Sequence, residues 1–125
     1  MNKNKIKKEK ISLYASGGMI FENQNYKILI EEALRYKELG YIGYKFRPKI
    51  PKNAKSHFAR INKPPSFDLN LLIEFCYEIR KIVGDEFLLM LDVGCRLKKI
   101  NEFKFLSNHL NYLNFFFLEE PLKRD

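Results

Sequence analysis

Short runs of β-branched and aromatic residues alternate along this chain with longer stretches of helical period, and that alternation restricts the fold more than any other feature. The apolar runs begin near residues 11, 41, 87 and 115. A strand, a helix and the return to a parallel strand take roughly 30 residues, so this spacing predicts βα units laid side by side on one parallel sheet. One interval is longer because a loop of about twenty residues, carrying Pro51, Pro64 and Pro65, follows the second strand.

The first strand is expected over residues 11–15, stopped by Ser16, Gly17 and Gly18. Asn23 or Asn25 offers a cap for a first helix with Tyr26, Leu29, Ile30 and Ala33 on one face, and Gly40 supplies its stop. Residues 41–47 form the second strand, ended by Pro48. Beyond the long loop, Asp68 caps a helix whose stripe is Leu72, Phe75, Cys76, Ile79 and Val83, closed by Gly84. The nearly unbroken apolar run at 87–92 reads as a strand covered on both faces. Asn101 is expected to cap a third helix with Phe103, Leu106, Leu110 and Leu113 inward, and residues 115–118 to form a fourth, core strand.

Four parallel strands and three helices at this period describe part of a (β/α)8 TIM barrel, which needs about 250 residues when complete. A chain of 125 residues therefore reads as an α/β half-barrel over residues 11–125. Residues 1–10 read as a basic, disordered tail. An open half-barrel exposes two strand edges. It would need a second half-barrel chain, or a second copy, to complete it.

In parallel βα folds the C-terminal strand ends face the reactive side. The second strand delivers Lys45 and Arg47 there, two positions apart and so on one face; the third delivers Asp92, and the fourth Glu119 and Glu120. Two carboxylates on neighbouring strand ends can share a hard cation such as Mg²⁺, which takes oxygen ligands and keeps several waters. Each group has an ordinary reading as well. Lys45 and Arg47 are then surface charges, Asp92 a turn residue, and Glu119 with Glu120 a solvated pair, although adjacent carboxylates repel unless a cation or solvent relieves them.

The motifs Lys45-Phe46-Arg47, Leu89-Met90-Leu91-Asp92-Val93-Gly94 and Phe117-Leu118-Glu119-Glu120-Pro121-Leu122 together resemble the enolase superfamily, in its mandelate racemase and muconate lactonizing branch. That branch carries Lys-x-Lys, Asp-x-Asn and Glu-x-Pro at the ends of its second, third and fourth barrel strands. The resemblance spans about residues 11–122 and implies the N-terminal half of the barrel, without the capping domain or strands five to eight. It further implies Mg²⁺ as cofactor with Asp92 and Glu119 as its ligands. The implied activity is removal of the proton next to the carboxylate of a hydroxy acid or acid sugar, as in a dehydratase or racemase.

Two positions depart from the pattern. Arg47 stands where the branch has its second lysine, and a guanidinium, always protonated, suits clamping a carboxylate better than taking a proton. Lys45 is then the lysine available as base, with its pKa expected to fall beside a metal and Arg47, while the resemblance implies a carboxylate-stabilising role for it. Gly94 stands where the branch has asparagine. A non-catalytic remnant, or a half-barrel subunit that needs a partner, is the reading that treats these motifs as inherited rather than active.

Other features are less specific. His57 and Arg60, in the long loop, would overhang the strand ends and meet an acid-sugar substrate, or be plainly exposed. His109 reads as a surface histidine. The net charge of +8 raises nucleic acid as a partner, but half of the excess lies in residues 1–10 and the rest is dispersed, which disfavours it. Cys76 and Cys95 lack metal-site spacing, and no apolar run reaches the roughly 18 residues of a membrane span. A reduced, cytoplasmic chain without a membrane partner is expected.

Overall fold

The computed structural model describes residues 10–18, 27–47 and 69–123. Within them, strands β1 (Tyr14–Gly17), β2 (Gly43–Phe46), β3 (Leu88–Asp92) and β4 (Phe117–Glu119) alternate with helices α1 (Lys27–Glu38), α2 (Leu69–Val83) and α3 (Ile100–Tyr112). All pairings are parallel and the strand order is β1-β2-β3-β4, so each βα unit lies beside the next. This is the α/β half-barrel that the period predicts, with β1 and β4 at the sheet edges.

Each helix forms where apolar residues fall on one stripe. Leu29, Ile30 and Ala33 are buried from α1, Leu72, Phe75, Cys76, Ile79 and Val83 from α2, and Leu106 and Leu110 from α3. They cover the sheet face that carries Ala15, Tyr44, Phe46, Leu89 and Leu91, and the two layers make one core. Phe46 is its centre. Tyr44 stacks on it at 5.9 Å between centroids, while Phe75 and Phe115 meet it edge-on at 5.3 and 6.2 Å. Burial of side chains of this size, worth about 1.5–3 kcal/mol each, holds the helices on the sheet.

The register fixes the other face. Tyr14 pairs with Gly43 and Gly43 with Leu88; Ser16 pairs with Lys45, Lys45 with Met90 and Met90 with Phe117; Asp92 pairs with Glu119. Toward the C-terminal ends this face passes from apolar (Tyr14, Leu88) through a mixed row (Met90, Phe117) to polar (Asp92, Glu119). The Tyr14 and Phe117 rings, from the two edge strands, meet edge-on at 6.4 Å. Three strand spacings of about 4.8 Å would keep them farther apart in a flat sheet, so the sheet curves toward this face. Gly43 lies in the bend, where a β-carbon would stand 2.5 Å from the Leu88 carbonyl oxygen and 2.9 Å from Met90 Cε.

At the opposite end, one buried side chain ties two successive helix-to-strand turns. Arg80, in α2, donates from Nε to the Leu113 carbonyl at 2.8 Å and from Nη2 to that of Asn114 at 3.0 Å, beyond α3. Its Nη1 donates to the Gly84 and Phe87 carbonyls, each at 2.7 Å, between α2 and β3. The guanidinium also lies 5.7 Å from the centroid of the Phe115 ring.

Several boundaries differ from the sequence expectations. β1 runs later than residues 11–15 because Ser16 and Gly17 pair with Lys45 and Phe46; the turn starts at Gly18, at φ +72°. Likewise β4 starts later than 115, and Phe116 is 65% exposed, so the aromatic run is not uniformly core. Asn101 lies inside α3 and does not cap it. That role falls to Glu102, whose carboxylate accepts the Lys98 and Lys99 N–H groups at 2.7 and 3.1 Å. Cys76 and Cys95 are buried thiols outside any disulfide among the described residues, and burial pushes the Cys76 thiol up. Among the described residues no helix is long and apolar enough to cross a membrane. Asn23, Asn25, Tyr26 and Asp68, the loop at 48–68 and nearly all of the basic tail lie outside the described residues.

Candidate active site

Alternation along β2 turns Tyr44 and Phe46 toward the helices and Lys45 and Arg47 to the opposite face. The two cations thereby reach a cavity of about 140 Å³ at the C-terminal strand ends, lined also by Ser16, Gly17, Phe46, Asp92 and Glu119. The structure thus brings together four side chains that the sequence assigns to the site. His57 and Arg60 lie outside the described residues.

Asp92 is 3% exposed and Arg47 8%. Arg47 donates from Nε to Asp92 Oδ2 at 2.7 Å and from Nη2 to the same oxygen, while the Gly94 N–H donates to Oδ1 at 2.9 Å. The backbone beyond β3 curls to present that amide, with Gly94 and Cys95 both left-handed at φ +60° and +61°. It is pinned to the end of β4, where Glu120, at φ +44°, accepts the Cys95 N–H at 2.6 Å and Glu119 accepts the Val93 N–H at 3.1 Å through their carbonyls. Non-glycine residues in this region are uncommon and gather where a site dictates the backbone.

Lys45 reaches over β3 to β4, with Nζ 2.7 Å from Glu119 Oε2. That hydrogen bond raises the lysine's pKa, partly offset by burial. Arg47 likewise clamps a carboxylate, but an internal one. A second carboxylate stands nearby, with Glu120 Oε2 3.9 Å from Arg47 Nη2. Two cations and three carboxylates therefore gather at these strand ends in two ion-paired groups.

Ser16 belongs to the cavity although the sequence reading placed it first in a turn; its strand-end position was the available signal. Beneath it, Gly17 leaves room for Glu32 of α1, whose Oε1 would lie 2.6 Å from a β-carbon there. Glu32 accepts a hydrogen bond from the Tyr44 hydroxyl. Burial first, and this carboxylate second, push the Tyr44 phenol up, so it remains a neutral donor. Nothing in the sequence distinguished this pair.

Asp92 and Glu119 are partners in register at adjacent strand ends and line the same cavity, which suits two hard oxygen donors to Mg²⁺. Among the described residues no group of three or more His, Cys, Asp or Glu side chains is placed to hold a metal. The pair fits the ion as part of a ligand set.

Four parallel strands with a polar cluster at their C-terminal ends make this a half-barrel of the kind that carries its chemistry at that rim. No protein-family model and no curated protein matches the sequence, whereas solved structures match along nearly all of it. The 3,6-anhydro-D-galactonate cycloisomerase of Zobellia galactanivorans is 22% identical, with a TM-score of 0.65 over 90% of this chain and 25% of its own. A racemase from Streptomyces coelicolor A3(2), solved with bound magnesium, is 20% identical, with a TM-score of 0.64 over 90% of this chain and 26% of its own. A mandelate racemase/muconate lactonizing enzyme from a marine actinobacterium is 21% identical, with a TM-score of 0.65 over 90% of this chain and 27% of its own. The fold is that of part of the barrel in enolase-superfamily structures of the mandelate racemase and muconate lactonizing type. The chain spans about a quarter of their length.

Proposed function

We propose that the chain carries the metal- and carboxylate-handling half of an enolase-type site. The reaction is removal of the proton next to the carboxylate of a hydroxy acid or acid sugar, in a dehydratase or racemase. The convergence of Lys45, Arg47, Asp92 and Glu119 on one cavity at the C-terminal strand ends is the observation that carries this reading.

Asp92 and Glu119 would hold Mg²⁺, which when bound supplies a Lewis acid that polarises a carboxylate. Arg47 orients an anionic substrate through its planar fork of donors. Lys45 takes the substrate's proton at Nζ, a role that requires it to leave Glu119, because the ion pair keeps it protonated. His57 and Arg60 would contact the substrate from the long loop.

Calorimetric titration of the folded chain with Mg²⁺ tests the metal half, with mass followed by light scattering. Saturable uptake is expected in the wild type and not in Asp92→Ala or Glu119→Ala. A folded wild-type chain that takes up no Mg²⁺, or variants that bind as the wild type does, would refute the assignment.

A further inference from the structure

The geometry points to Arg47 as an internal cation that closes the metal site: it occupies Asp92 until a divalent ion displaces it, and the displaced guanidinium then turns to Glu120 and to an anionic substrate. This deepens the reading above and rests on Asp92 as a metal ligand.

Three observations converge on it. Arg47 places two donors, Nε and Nη2, on one oxygen of Asp92, while Gly94 holds the other through its amide. An ion approaching Asp92 therefore meets a carboxylate already neutralised by a full positive charge, and both partners are buried, where solvent screens them little. The guanidinium also has a second position within reach, since Glu120 Oε2 lies only 3.9 Å from Nη2. Finally, Gly94 stands beside it. A β-carbon at Gly94 would stand 3.9 Å from both Nε and Cζ of Arg47, so an asparagine here would extend its amide against the guanidinium, whereas glycine does not.

The two departures from the family pattern are thus neighbours in space. The bulkier cation at 47 uses room that the missing side chain at 94 vacates. A lysine has a single ammonium, not a planar fork, and grips one carboxylate oxygen with less geometric definition. Lys45 on Glu119 repeats the arrangement more loosely, with the carboxylate 36% exposed. Linkage makes the exchange reciprocal: whatever Arg47 gains from Asp92 is subtracted from metal affinity, and metal binding releases Arg47 by the same factor.

The test titrates Mn²⁺ into the wild type, Arg47→Met, Asp92→Ala and a charge control, Lys98→Met, whose side chain is exposed outside the cavity. In parallel, exchange of the Arg47 Nε–H is followed by NMR in the wild type during Mg²⁺ titration. Arg47→Met is expected to tighten Mn²⁺ binding by about tenfold or more, with Lys98→Met close to wild type, and the Nε–H to lose protection as Mg²⁺ saturates. If wild-type binding depends on Asp92 but Arg47→Met leaves it unchanged or weaker, and the Nε–H stays protected, the lock is wrong and the metal site stands. Should no chain bind Mn²⁺ or Mg²⁺, both fall. If Arg47→Met does not fold, protection of the Nε–H in the wild type decides alone.

Discussion

Replacing Arg80 by methionine keeps most of the aliphatic stem and removes every donor. Four backbone carbonyls, of Gly84, Phe87, Leu113 and Asn114, then lose the partner that joins the two helix-to-strand turns. Hydrogen bonds to a charged group contribute about 1.5–3 kcal/mol each, but carbonyls at turns regain some water, so the four do not sum. A loss of about 3–5 kcal/mol is expected, the equivalent of about two such bonds. Against a typical total of about 5–15 kcal/mol, that leaves the chain marginal. Burial lowers the Arg80 pKa, yet a guanidinium stays charged, so neutral and mildly alkaline pH should not change the result. Urea unfolding followed by far-ultraviolet circular dichroism is the assay. With a slope of about 1.5 kcal/mol per molar, the midpoint should fall by roughly 2–3 M without a change of slope. Arg80→Lys, which offers one ammonium on a shorter stem, should recover only part of the loss. A methionine variant within about 1 kcal/mol of wild type, or a lysine variant equal to it, would refute the staple.

Two further outcomes follow from the geometry. Gly43→Ala should cost about 3 kcal/mol, because its β-carbon meets the Leu88 backbone oxygen at 2.5 Å, whereas Gly40→Ala meets no atom of the described residues within 4 Å and pays for its φ of +86°, about 1 kcal/mol; equal melting temperatures for the two variants would contradict this. Stability should decline with rising pH above about 9, since the folded state raises Cys76, Tyr44 and Lys45 from ordinary values of 9.0, 10.0 and 10.5. Each group binds its proton longer when folded, so its contribution is intact below the unfolded value and fades as pH climbs past it. Urea midpoints at pH 8 and at about pH 10.5 measure the effect, and equal midpoints would oppose it.

Helix stripes were legible in the sequence because burial enforces the period: Leu72, Phe75, Cys76, Ile79 and Val83 are all buried. Strand positions were legible to within two or three residues. Their ends depend on register, a property of pairs, and nothing within residues 11–17 says that Ser16 will sit opposite Lys45. The site followed the same division. That Lys45, Arg47, Asp92 and Glu119 share one end was readable from strand phase and motif. Which cation takes which carboxylate was not, because Lys45 crosses a whole strand to reach Glu119 while Arg47 takes the nearer Asp92. Arg80 gave no signal at all: its partners are backbone carbonyls, which every sequence possesses.

Two of the buried guanidiniums, those of Arg80 and Arg47, show how one chemical group serves opposite ends of the same sheet. At the N-terminal end, Arg80 binds carbonyls fixed by turns that no ligand can claim, so its loss is felt in folding alone. At the C-terminal end, Arg47 binds a carboxylate that a metal could also bind, with Glu120 as a second partner 3.9 Å away. A group with a competitor and an alternative is poised to move; a group with neither is a fastener. Stability and metal affinity should therefore separate on mutation. Arg80→Met should weaken folding and leave the Mn²⁺ affinity of the remaining folded chain unchanged, whereas Arg47→Met should tighten the metal. A shift of metal affinity on mutating Arg80 comparable to that at Arg47 would mean that the two ends are coupled through the strands, and that the division between them fails.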